Sequence, residues 1–168
     1  MMEVVLDTVS LQHLLRAPKL KSVKYSHISR VQTPLDIPMQ KGRLHLAVDA
    51  NGALINEWEL TCGAELIQVI VTRWDEFRVF TVINHVPKIN PTISKKLRML
   101  GFQDSIDKLV LRLGLVAKDH VAISEDSDFW DPSSPSSRGN SNAPVALLCK
   151  DQLGITIMLL KSLINKVC

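Results

Sequence analysis

Short apolar runs alternate with stretches of helical periodicity along this chain, and a chain so written has few ways to bury both. Residues 3–6, 44–48, 78–83, 120–124 and 145–148 are the apolar or β-branched runs, each about as long as one buried strand. Between them Leu66, Ile67, Ile70, Val71 and Trp74 recur at i, i+1, i+4, i+5 and i+8, the stripe of an amphipathic helix. Asn90-Pro91 opens a helix that carries Ile93, Leu97 and Leu100 on one face and stops at Gly101. Asp104 or Ser105 caps the next helix, with Ile106, Leu109, Val110 and Leu113 inward and Gly114 at its end. Leu11, Leu14 and Leu15 make one short helical turn, and residues 158–166 a terminal helix. Strands separated by helices predict an α/β fold, with three α/β/α layers around a mostly parallel central sheet. Asn51-Gly52 reads as a hairpin turn that returns residues 53–55 as a second arm.

A length of 168 residues, 46% of them hydrophobic and 22% charged, predicts a single domain over residues 1–168 and excludes disorder as the main state. Pro18, Pro34 and Pro38 keep the region after the first strand from forming one long helix. Residues 131–144, rich in Ser and Pro, read as a flexible loop within the domain. Cys62, Cys149 and Cys168 lie far apart and show neither a disulfide framework nor zinc-ligand spacing. The longest apolar runs, residues 66–71 and 155–160, are too short to span a bilayer, and no signal peptide is visible. The expectation is a reduced, cytoplasmic protein without a membrane partner.

The net charge of +3 implies little about partners, but the charges are segregated. No acid occurs from Thr8 to Leu35, where Arg16, Lys19, Lys21, Lys24 and Arg30 lie. None occurs from Phe77 to Gln103 either, a stretch that holds Arg78, Lys88, Lys95, Lys96 and Arg98. Residues 104–131 carry seven acids against three bases. A basic surface bordering an acidic pocket is one reading of this pattern, and ordinary solvated faces are the other.

In an open parallel sheet, ligands bind beyond the carboxyl ends of the strands. Asp7 directly follows the run Val4-Val5-Leu6, and Asp126 follows Val121-Ala122-Ile123 after two intervening residues, so both acids stand at one sheet edge. Asp107, in the first turn of its helix, flanks the buried stripe about 100° from Ile106. Converging carboxylates repel one another unless a cation neutralises them, and hard oxygen ligands in an open site suit Mg²⁺ or Mn²⁺. Singly, each acid has a plain structural role as turn residue or helix first-turn acid; jointly they point to a site. Trp58, Trp74 and Trp130 read as core or rim residues, and Phe129 as a core plug behind the last acids.

The segment Ile123-Ser-Glu-Asp-Ser-Asp-Phe-Trp resembles the Ser/Thr-x-Asp-x-Asp-Phe stretch of PIN-domain ribonucleases, to which the NYN domains are related. Val4-Val-Leu-Asp-Thr is similar to that family's opening strand, and Asp107-Lys-Leu-Val-Leu-Arg-Leu-Gly to the helix before its last catalytic strand. Leu46-Ala-Val-Asp-Ala-Asn-Gly-Ala-Leu-Ile-Asn-Glu-Trp resembles a hairpin-plus-Glu segment of some bacterial PIN-like proteins. The resemblance runs from Glu3 to the terminal helix. It implies a PIN-like fold and an Mg²⁺- or Mn²⁺-dependent endoribonuclease. Asp7, Glu57, Asp107 and Asp126 would be its catalytic acids, with Asp7, Asp107, Asp126 and also Asp128 as metal ligands. Glu59 or Asp49 stands as an alternative to Glu57.

Lys19, Lys21, Lys24 and Arg30, with Lys95, Lys96 and Arg98, are the candidate contacts to single-stranded RNA, and Tyr25 could stack a base. Many members of that family are toxins held inactive by an antitoxin, so the resemblance also implies an antitoxin or other regulatory protein as partner, and a homo-oligomer is a further expectation. The chain departs from the family at Val9, where Asn is usual, in the longer stretch between Arg16 and Lys41, and in the Ser/Pro loop. Two other classes stand beside the nuclease: a catalytically silent PIN-like subunit that binds a protein partner or nucleic acid, and a receiver-type phosphoryl-transfer domain. A receiver would need a lysine after its terminal strand, and none is placed convincingly.

Overall fold

The computed structural model describes residues 1–15 and 31–168. Five strands form one parallel sheet in the order β3-β2-β1-β4-β5. They are β1 (Met2–Leu6), β2 (Leu44–Asp49), β3 (Phe80–Ile83), β4 (Val121–Ile123) and β5 (Thr156–Met158). Eight α-helices are described: α1 (Thr8–Leu15), α2 (Asp36–Gln40), α3 (Ala53–Cys62), α4 (Ala64–Glu76), α5 (Pro91–Met99), α6 (Ser105–Gly114), α7 (Pro144–Leu148) and α8 (Leu160–Val167). The result is the three-layer α/β/α arrangement that the alternating pattern predicts.

The central strands are continuous apolar runs because helices cover the sheet on both sides. Val4, Val5, Leu6, Leu46, Ala47, Ala122 and Ile123 have no exposed surface. Helix α6 lays Leu109, Val110 and Leu113 on β1, β2 and β4, the i, i+1, i+4 stripe read from the sequence. Trp58, Trp74 and Trp130 are all buried, and Phe129 meets Phe102 edge-on with ring centroids 5.2 Å apart. Each helix near the site starts with an identifiable donor–acceptor arrangement. Asn90 Oδ1 accepts the Thr92 N–H at 2.9 Å ahead of Pro91 in α5, and Asp104 Oδ1 accepts the Ile106 and Asp107 N–H groups in α6.

Two segments differ from the expectations. Residues 53–55 are no hairpin arm but the first turn of α3. Asn51-Gly52 supplies a strand-to-helix turn, with Gly52 at φ 73°. The Asp49 carboxylate takes the Ala53 and Leu54 N–H groups at 2.8 and 3.0 Å, which satisfies two orphan donors of the helix start. Leu54 and Trp58, one turn apart, then bury one face. Residues 145–148 are likewise no strand but part of α7, because Pro144 sits at its first position and sets a helical φ. The fifth strand is Thr156–Met158, so the terminal helix begins at Leu160 and not at Met158. Residues 131–144 form successive turns around a 3-10 turn at Pro135–Ser137. Among the described residues no helix is long and apolar enough to cross a membrane.

Because Asp49 caps α3 from a buried position, Asp49→Ala should lower the unfolding free energy in urea by about 2 kcal/mol. An unchanged midpoint would mean that the cap contributes nothing.

Candidate metal centre

The sheet order contains one reversal. From β1 the chain runs outward to β2 and β3, then crosses back to β4 on the other side of β1. The crevice beyond the carboxyl ends of β1 and β4 is therefore the switch point at which such sheets bind ligands. Leu6 pairs with Ile123 in register, so the residues that follow the two strands emerge side by side. The Asp7 N–H closes the edge by donating to Ile123 O at 3.0 Å.

Beyond this edge lies a pocket of about 250 Å³ whose wall includes Thr8, Glu57, Asp104, Asp107, Asp126 and Asp128. One carboxylate oxygen from each of Asp107, Asp126 and Asp128 falls within 4.8 Å of the other two. The local backbone explains the convergence. Asp126 caps the 3-10 turn Ser127–Phe129, its Oδ1 accepting the Asp128 N–H at 3.0 Å, so that the two carboxylates share one turn. Asp107 arrives from the first turn of α6, and Glu57 from α3, where its Oε1 accepts the Thr61 hydroxyl at 3.1 Å.

Asp7 is set differently. It is 2% exposed and does not line the pocket; it lies beside the cluster, with Oδ1 accepting the Ser10 N–H at 2.7 Å and Oδ2 the Ser124 hydroxyl. Ser124 Oγ in turn accepts the Asp126 N–H at 3.0 Å, so one hydroxyl links the buried acid to the turn that carries Asp126 and Asp128. Of the two alternatives to Glu57, Asp49 caps α3 and neither it nor Glu59 lines the pocket.

The electrostatics follow from burial and crowding. Desolvation pushes the Asp7 carboxyl up to about 7, against the lowering hydrogen bonds of Ser124 and Ser10 and with further repulsion from Asp126. Asp107 is pushed up to about 8, first by burial and then by the charges of Asp126, Asp104, Asp7 and Asp128. Asp128 is raised for the same reasons, burial before its neighbours Asp126 and Asp104.

Asp104 is the pocket residue that sequence reasoning read only as a helix cap. The signal for its second role is that the cap of α6 must stand at the same sheet edge as Asp107. Of the basic residues expected to contact RNA, Lys19, Lys21, Lys24 and Arg30 lie outside the described residues, as does Tyr25. Lys95 and Arg98 face a separate small cleft beside the acidic pocket, while Lys96 points to another groove. In comparisons with known proteins, no family model, no curated protein and no solved structure matches this chain.

An acid held above its unfolded value of 3.8 keeps a proton that the unfolded chain has already released. Stability therefore falls as pH rises from near that value through about 7 for Asp7 and about 8 for Asp107. Melts of the metal-free protein should show a falling midpoint across this window, with a shallower fall in Asp107→Asn. Parallel curves for the two proteins would contradict the crowding.

Proposed function

We propose that this protein is a metal-dependent endonuclease, an endoribonuclease that hydrolyses RNA phosphodiesters at the carboxylate pocket between β1 and β4. The observation that carries this reading is the meeting of Asp107, Asp126 and Asp128 oxygens within 4.8 Å of one another at the switch point of the sheet. The donor set fits Mg²⁺ or Mn²⁺. It is all oxygen and all carboxylate, it is open on one side, and the Thr8 hydroxyl in its wall is buried without a hydrogen-bond partner among the described residues. A divalent cation held there supplies Lewis acidity to a phosphodiester and to the water that attacks it.

The chain's own residues do the remainder. Asp107, Asp126 and Asp128 would hold the ion, which would relieve their mutual repulsion. Asp7, fixed by Ser10 and Ser124, adds negative charge from behind and keeps the Asp126 turn in place through the shared serine. Glu57 stands on the α3 wall with Oε1 engaged by Thr61, which leaves Oε2 as the atom to take a water proton. RNA as the substrate rests on the resemblance of the Asp7, Asp107 and Asp126 segments to PIN-domain ribonucleases. On that resemblance a regulatory or antitoxin-like protein is the partner to seek.

Millimolar Mn²⁺ should raise the melting temperature, since it binds the folded state. Purified protein should cut single-stranded RNA with Mn²⁺ or Mg²⁺, and Asp126→Asn or Asp7→Asn should reduce that cutting by about 100-fold or more. Each substitution nearly preserves volume and relieves repulsion, so the metal-free variants should melt no lower than wild type. Stabilisation by Mn²⁺ without cutting would identify a silent subunit, and full activity in either variant would remove these acids from the site.

A further inference from the structure

A basic cleft shares a helix turn with the acidic pocket. Pro91, Ser94, Lys95 and Arg98 recur at i, i+3, i+4 and i+7 along α5 and form one face, with Leu97 turned away from it into the core. Lys108 of α6 lines the same cleft, which has a volume of about 210 Å³. The residue before Lys108 is Asp107, which belongs to the acidic pocket. The boundary between the two sites is thus the first turn of α6.

Among the described residues, Lys95, Arg98 and Lys108 form no ion pair. Three cations gathered around so small a space repel one another, and α5 itself carries no acid to relieve them. The remaining lining is Pro91 and the Ser94 hydroxyl, which offers a donor and little apolar anchorage. Lys96 faces elsewhere, with Met99 and Leu100 in a mostly apolar groove against α7.

We propose that this cleft binds the backbone of a single-stranded RNA next to the phosphodiester at the acidic pocket, Lys95, Arg98 and Lys108 contacting phosphate oxygens and Ser94 donating its hydroxyl. The proposal rests on the nuclease reading for the direction of the strand, which passes over the first turn of α6 from one pocket to the other. Because the two pockets adjoin at the Asp107–Lys108 step, successive phosphates of one strand can lie at both. An acidic pocket repels phosphates, and positive charge immediately beside it is what lets a polyanion approach.

The test is binding of a short labelled oligouridylate to full-length Asp126→Asn, followed by anisotropy from about 50 to 300 mM salt. Changing Lys95, Arg98 and Lys108 together to Ala should flatten the slope of log K against log salt by about 2, at about 0.7 per phosphate contact. Lys96→Ala should leave it unchanged, and exchanging Lys for Arg and Arg for Lys at the three positions should restore it. If the triple variant does not fold, Lys95→Ala and Lys108→Ala singly should each flatten the slope by about 0.7. A slope that flattens in the triple variant, with a wild type that never cuts, would uphold the cleft and remove the nuclease reading. An unchanged slope for the triple change in Asp126→Asn, with cutting at full rate when the same change is made in the wild type, would overturn the cleft and leave the nuclease. Loss of polyglutamate binding with RNA binding intact would also overturn it, in favour of an acidic protein partner.

Discussion

The parallel pairing of β1 with β4 governs where every acid of the site can stand. With Leu6 opposite Ile123, Asp7 and the Ser124–Asp128 segment leave the sheet at the same level, and the Asp7 N–H still bonds to Ile123 O. The connection through α5 and α6 then returns to the same crevice, which delivers Asp104 and Asp107. The fold thus assembles acids from β1, α6 and the turn after β4, with Glu57 reaching in from α3.

That assembly opposes stability. Asp7 and Asp107 are raised to about 7 and about 8 chiefly because burial disfavours their charged forms, and the neighbouring acids add to it. Hydrogen bonds from Ser10 and Ser124 offset part of the cost at Asp7. A core designed for stability alone would place apolar residues there. The arrangement makes physical sense if a cation enters, and a basic cleft one helix turn away makes sense if a polyanion follows.

Much of the fold was legible in the sequence because its longer elements are strongly periodic. Helices α4, α5 and α6 carry their stripes over nine or more residues, with Asn90 and Pro91 marking the start of α5 and Asp104 that of α6. Residues 53–55 and 145–148 were misread because a run of three or four apolar residues has no measurable period. Asn51-Gly52 permits a positive φ in a hairpin and a helix entry alike, and the deciding contact was the Asp49 cap, which reaches four and five residues along the chain. At the site, Asp107, Asp126 and Asp128 were legible as acids following strands or opening a helix. The burial of Asp7 beside the cluster was not, since it depends on the Ser124 hydroxyl across the sheet edge. The split of Lys95 and Lys96 between two grooves follows from the rotation of α5, which charge counting ignores.

The most direct test of the account is the proton balance of metal binding. At a pH near 6 burial favours the protonated forms of Asp7 and Asp107 in the metal-free protein; a cation held by Asp107, Asp126 and Asp128 would displace the proton of Asp107, and its charge would favour loss of the one on Asp7 beside it. Calorimetric titration with Mn²⁺ in buffers of different ionisation enthalpy measures that release. The account predicts saturable binding with about one to two protons released per ion, falling toward zero above pH 9. Binding without proton release at pH 6, or no binding at all, would contradict it.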